Sequence, residues 1–184
     1  MQETINKLSE SIEEKYLSSR KNALHDLNRK LMLCLYDLGK KISESHSNKE
    51  NDSKFYEILS NALVEKMGKN RTFTVQNLKN LEAFYNLYQN YYSQFPFDYE
   101  KAMRGEFIPF SFYQIISLPW SFHKLILRQC KDIHEAFFYV EEAYFCKWNE
   151  QELVNHLEKN SYKDPNYKVD TTSRSLLNLQ KGEN

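Results

Sequence analysis

The residues best suited to holding a ligand lie in KMGKNRTFTVQNLKNL, residues 66–81. This stretch carries Lys66, Lys69, Arg71 and Lys79 and no acidic residue, with Asn70, Thr72, Gln76, Asn77 and Asn80 interspersed. Cations bind the phosphates of a duplex, and amide side chains reach base edges in its major groove. A helix that enters the groove needs both kinds of group. The predicted DNA contacts are Lys69, Arg71, Thr72, Gln76, Asn77, Lys79 and Asn80. A solvated turn between two packed helices is the competing reading. Lys124, Arg128 and Lys131, beside His123, spell a secondary basic face at helical spacing, against the alternative of an ordinary exposed side. Trp120, Trp148 and the cluster FYNLYQNYYSQFPFDY (84–99) could stack on bases, but core packing explains their helical steps better.

Catalytic and metal patterns are poor. The five histidines, His25, His46, His123, His134 and His156, show no ligand spacing, and there is no Cys-x-x-Cys, so neither metal nor cofactor is expected. Cys34, Cys130 and Cys146 are odd in number and far apart, which suggests buried free thiols in a reducing compartment. Hydrolysis of the PD-(D/E)XK type needs an acid and an acid-x-Lys pair on adjacent strands. Glu13-x-Lys15 has the letters but lies in a helical pattern, and Asp164 and Lys168 lie in a proline-containing tail. No glycine-rich phosphate loop or Gly-x-Ser-x-Gly elbow occurs. The chain is therefore expected not to be an enzyme.

The elements that would position these residues are helices. Of 184 residues only four are glycine and four proline, and 15% are aromatic, which suits a helical fold with a sizeable core. Twenty-five basic residues balance twenty-five acidic ones, which excludes a wholly basic nucleic-acid-coating protein but not a local basic surface. No apolar run approaches the roughly 18 residues of a membrane span, and the N-terminus lacks a signal layout, so the expected location is cytoplasmic with no membrane partner.

A helix is predicted from about residue 2 to 45, either continuous or broken near Ser18 and Ser19. Leu24, Leu31 and Leu38 repeat every seven residues, with Leu27, Cys34 and Ile42 beside them, as on a bundle or coiled-coil face. After a polar loop (43–53), Asp52 or Ser53 can cap a helix over 54–67 that buries Phe55, Ile58, Leu59, Ala62 and Leu63, with Gly68 ending it. Thr74 reads as the N-cap of a helix over 75–92 with Leu78, Leu81, Tyr85 and Tyr88 inward. Residues 94–109, with breakers Pro96, Gly105 and Pro109, read as irregular, with room for a small hairpin. Pro119 opens a helix, and Asp132 with Glu135 and Asn149 with Glu152 have capping-box spacing before helices over 133–145 and 150–159.

Four patterns in order, LCLYDLGKKI (33–42), FYEILSNALVEKMGKNRTFTVQNLKNLEAFYNLY (55–88), LPWSFHKLILRQC (118–130) and EAFFYVEEAYFCKWNEQELVNHLE (135–158), resemble the N-terminal domain of the YhcG-like bacterial proteins. The matching positions are Tyr36, Leu38 and Gly39, then Phe73, Thr74, Asn77, Leu78, Phe84 and Tyr85, then Leu118, Trp120, Ser121 and His123, then Trp148. Asp37 stands where the family often has tryptophan, His123 falls one place beyond the usual Trp-Ser-His, and Asn149 replaces a serine. The resemblance implies a helical domain of helix-turn-helix or winged-helix character, thought to bind DNA and followed in longer members by a PD-(D/E)XK nuclease-like domain. KDPNYKV (163–169) looks like the start of that connection.

The expected fold is thus mainly α, with a long N-terminal helix and a helix-turn-helix or winged-helix-like core. One domain spans residues 1–160, made of a helical arm (1–46), a helix-turn-helix-like centre (53–92) and C-terminal helices (117–159), with a flexible tail at 161–184. The expected function is a non-catalytic DNA-binding module that positions a partner nuclease or restriction-type subunit. The alternative is a protein-interaction adaptor or homodimer acting through Leu24, Leu31 and Leu38.

Overall fold

The computed structural model describes residues 2–47, 54–92, 101, 104 and 108–169. Helix α1 spans Gln2–Ser47, α2 Phe55–Met67, α3 Val75–Tyr92, α4 Phe110–Ser117, α5 Trp120–Gln129, α6 Ile133–Phe145 and α7 Glu150–Glu158. A single 3-10 turn, Arg71–Phe73, joins α2 to α3. No strand occurs among the described residues, so the protein is mainly α and none of them forms a wing. The predicted caps Asp52 and Ser53, most of the irregular segment 94–109 and the tail beyond Val169 lie outside the described residues.

Helix α3 is the centre. It packs along the second half of α1 and also touches α2, α5 and α6, while α4 lies against α1 and α6. Leu78, Leu81, Phe84 and Tyr88 on α3 meet Met32, Leu33, Leu35 and Tyr36 on α1, all buried. Phe84 takes the fully buried place on the inner stripe, and Tyr85 is half-buried. The two helices approach closely at Gly39. A Cβ there would lie 2.2 Å from the carbonyl oxygen of Leu81 and 2.9 Å from Cβ of Tyr85, so only glycine fits without moving backbone.

Helix α1 is unbroken through Ser18 and Ser19 because nothing in it interrupts a helix. It has no proline, its one glycine comes only at position 39, and Lys7 pairs with Glu3 one turn earlier. Its leucine repeat packs only at the C-terminal end, where Leu38 lies half-buried against the core and Ile42 is buried. Leu24, Leu27 and Leu31 are at least half exposed and Cys34 is exposed. The body takes the neighbouring stripe of Met32, Leu35, Tyr36 and Gly39, and the heptad pattern joins it only at Leu38 and Ile42.

Other expectations also meet a correction. Ile58 is 59% exposed, and α2 contains no fully buried residue, so α2 is a peripheral helix touching the core through Phe55, Leu59 and Leu63. The C-terminal helices begin at Phe110, earlier than expected. Helix α4, FSFYQIIS, buries Phe112, Gln114, Ile115 and Ile116, and its eight residues make too short a window for a helical period to stand out. Of the thiols only Cys130 is buried; its pKa is pushed up to about 12 by burial and by the nearby Glu135. Residues 161–169 form turns packed on the body. Ser161 is buried, the Tyr167 ring sits 5.2 Å from that of Phe138, and the Tyr167 hydroxyl donates to the buried Glu142 at 2.6 Å.

The caps follow the sequence. Asn149 and Glu152 make a complete capping box, and Asp132 accepts from the N–H groups of His134 and Glu135. Thr74 Oγ1 accepts from the N–H of Asn77 at 3.4 Å.

Candidate nucleic-acid interface

The turn between α2 and α3 is built from its own polar residues. Gly68, at φ +77°, closes α2 by donating its N–H to the Val64 carbonyl. The Asn70 side chain then accepts from the N–H of Thr72 at 2.8 Å, which starts the 3-10 turn. The Ser60 hydroxyl, on α2, donates to the Phe73 carbonyl at 2.7 Å and ties the turn to the helix before it. Thr74 also donates to the Arg71 carbonyl at 3.3 Å. The loop is therefore tethered from both sides.

This scaffold sorts the predicted contact residues. Lys69, Arg71, Gln76 and Lys79 are exposed, as is Lys66. Gln76 donates to the Asn80 side chain one turn later at 3.1 Å, and Lys79 lies 5.4 Å from the centre of the Tyr56 ring. Thr72 and Asn80 are half-buried. Asn77 has a different role. Its Nδ2 donates to the Thr72 carbonyl at 2.8 Å, and its Oδ1 accepts from the Trp120 indole at 3.0 Å. Both ends of its amide are thereby engaged by the fold, which turns it towards Trp120 and the turn backbone.

The secondary face is less uniform than its sequence suggested. Arg128 and Lys131 are exposed and Lys124 half-buried, but Arg128 shares a cleft of about 210 Å³ with Glu158, so an acid interrupts the basic surface. His123 leaves this face altogether. It is wholly buried, with Nε2 2.8 Å from the Ile115 carbonyl and its ring 4.8 Å from that of Phe84. Burial outweighs that hydrogen bond and lowers its pKa to about 4, so it is neutral at ordinary pH.

One feature went unseen in the sequence. The arm and the body enclose an open cleft of about 960 Å³ whose walls include Lys21, His25, Arg29, Tyr113, Tyr144 and Lys147. Arg29 pairs with Asp26 and donates to the Tyr113 hydroxyl, with its guanidinium carbon 5.0 Å from the centre of that ring. The Asn28 amide reaches the carbonyls of Ile116, Ser117 and Leu118 at 3.2–3.3 Å and fixes α4 to the arm. These residues are scattered over three helices and the turn after α6, so no local pattern announces them.

The motif positions converge. Tyr36, Phe84 and Trp120 form successive edge-to-face pairs at 5.8 and 5.3 Å, His123 touches Phe84, and Asn77 holds Trp120. Trp148 stacks flat on His156 at 4.0 Å. These residues build the junction of α1, α3 and α5 and the α6–α7 corner. No curated protein and no solved structure matches the chain. The family model for the DUF1016 N-terminal domain matches residues 11–164. The chain therefore belongs to the DUF1016 N-terminal domain family, the same YhcG-like family that its motifs resemble.

Proposed function

We propose that this domain is a cytoplasmic, non-catalytic DNA-binding module that places a partner nuclease, or a restriction-type subunit, on its substrate. The observation that carries this reading is the tethered turn and first turns of α3, where Lys66, Lys69, Arg71, Gln76 and Lys79 are exposed within an acid-free stretch. A rigid loop before a helix gives phosphate-binding cations a fixed register and leaves Gln76 on the leading turn for a base edge. Asn77 drops out of the contact set, and Thr72 and Asn80 contribute mainly to the scaffold. A non-catalytic role is supported by where the candidate acids sit. Glu13 and Lys15 are two residues apart on a helix and point away from each other, and Asp164 accepts the N–H of Asn166 within a turn.

The test is fluorescence anisotropy of a labelled random duplex at two salt concentrations, with the Arg71→Ala, Lys79→Ala double variant alongside. Phosphate contacts predict affinity that falls steeply with salt, and loss of two cations should lower the salt slope by about 2. A folded protein that shows no binding at low salt would sink the proposal.

A second reading, an interaction adaptor, is favoured by one observation. The arm of α1 exposes Leu24, Leu27 and Leu31 on a stripe that the body does not cover.

A further inference from the structure

Every residue from Glu3 to Leu27 of α1 is exposed, and Met32 is the first to be buried. An isolated helical arm of this length is marginal in water unless something packs on it. Its apolar residues have an order that says what. Outward from Tyr16, steps of four, four and three residues reach Ile12, Leu8 and Ile5 in one direction and Arg20, Leu24 and Leu27 in the other. The seam reads the same both ways, with the aliphatic stem of Arg20 as the one amphipathic member.

Charge follows the same division. From Glu3 to Tyr16 there are four carboxylates, Glu3, Glu10, Glu13 and Glu14, against two lysines; from Leu17 to Leu31 there are Arg20, Lys21, Arg29 and Lys30 against Asp26. Glu10, Glu13, Glu14, Arg20 and Lys21 have no ion-pair partner among the described residues.

We propose that the arm pairs antiparallel with the arm of a second copy of this chain, about a two-fold axis at Tyr16. Ile5 then faces Leu27, Leu8 faces Leu24, Ile12 lies on the stem of Arg20, and Tyr16 meets its symmetry mate. The acidic half of each arm runs beside the basic half of the other. A parallel, in-register pair would instead put Arg20 on Arg20 in the seam and like charges along both flanks, which opposes association. The antiparallel pair places the two bodies, each with its basic turn, at opposite ends of a shared two-helix rod.

This inference rests on reading the arm as an interaction surface, and sedimentation equilibrium of the full chain tests both. The expected species is a dimer. Leu24→Glu with Leu27→Glu should give a monomer whose body stays folded, with any loss of helical content confined to the arm. Glu10→Lys with Glu13→Lys should also dissociate it, and adding Arg20→Glu and Lys21→Glu to the same chain should restore the dimer. Oxidative cross-linking reads the direction. Tyr16→Cys in a Cys34→Ser background should link to its mate, whereas the native Cys34 thiols, roughly 54 Å apart in this register by helical rise, should not link. A chain that stays monomeric well above micromolar concentration overturns the second copy as occupant and leaves the arm to another partner. A dimer that survives the Leu24 and Leu27 changes moves association off this face and removes the arm reading with it. Cross-linking through Cys34 would overturn the antiparallel register.

Discussion

Two lengths of the same helix behave in opposite ways. From Met32 to Ile42, α1 buries Met32, Leu33, Leu35, Tyr36 and Ile42 and admits α3 to backbone contact at Gly39. From Glu3 to Leu27 it buries nothing, although it carries as regular an apolar stripe. Helical continuity is a local property set by propensity and charge pairs, and it crosses the boundary without a break. Burial is a tertiary property, and it stops where the body stops. An apolar period therefore shows that a helix has a side to cover without showing whether its own chain covers it.

The embedded half is the place to break this contrast hardest. Gly39→Ala drives a methyl group into the Leu81 carbonyl, and the only relief is to move α1 off α3. A loss of about 4 kcal/mol is expected in urea unfolding, at the upper end of what single substitutions do. Any change to alanine in the arm should fall far short of this.

Acid acts next, through a buried histidine of the body. His123 has a folded pKa of about 4 against 6.5 for the free side chain, because burial opposes its charge. The unfolded chain thus holds more protons between these values. Stability is full above pH 6.5 and falls as pH drops towards and through 4, by about 3 kcal/mol from this residue. Unfolding at pH 7, 5.5 and 4.5, with His123→Phe beside the wild type, checks it. The slope should flatten in the variant. An equal slope in both would show that His123 is not the group responsible.

A smaller loss is expected where α1 ends. The Glu82 carboxylate is nearly buried, accepts from the Tyr56 hydroxyl and lies 3.1 Å from His46 Nδ1, while the His46 ring stacks on Phe55 at 4.8 Å. This cluster fastens α2 to both α1 and α3. Glu82→Ala should cost about 2 kcal/mol and make α2 exchange its amide hydrogens before the rest of the body does. Protection that falls uniformly across all helices would place the cluster in the global core instead.

The smallest effect sharpens the comparison from the other side. Leu27→Ser should change the intrinsic stability of the body by no more than about 0.5 kcal/mol, since it removes a contact the monomer does not make. A loss above 2 kcal/mol in dilute protein would show that the arm supports its own body.

What could be read from sequence was what is local. Thr74, Asp132 and Asn149 announce their helices through side chains that bond the next turn, and those three helices begin where the caps predict. Helix α4 escaped because FSFYQIIS is only eight residues long and mixes Ser111, Gln114 and Ser117 with aromatic and β-branched residues, so neither a helical period nor a strand alternation is sustained. The site was legible as a composition and not as an assignment. Residues 66–81 do present their cations, but composition gives Asn77 and Gln76 the same role; what separates them is that Asn77 is a motif position on the inward stripe of Leu81, Phe84 and Tyr88, and its amide bonds Trp120 forty-three positions on. His123 likewise reads as one of several basic letters on a helix, and only the packing of α3 and α4 around it takes it inside. Motif residues such as Tyr36, Phe84 and Trp120 mark a shared architecture, so their presence says how the scaffold is held and leaves the ligand to the surface residues between them.

The turn after α7 is part of the packed body. Because Tyr167 donates to the buried Glu142 and lies against Phe138, the folding unit extends past its last helix. Proteolytic cleavage after Lys163 would free that anchor and loosen α6 from beneath. Any polypeptide joined beyond Val169 pulls on Tyr167 before it pulls on a helix. Mechanical load applied at that end would thus be borne first by Tyr167, through its bond to Glu142 and its ring contacts with Phe138 and His156, so that this one side chain would act as the strain gauge of the body.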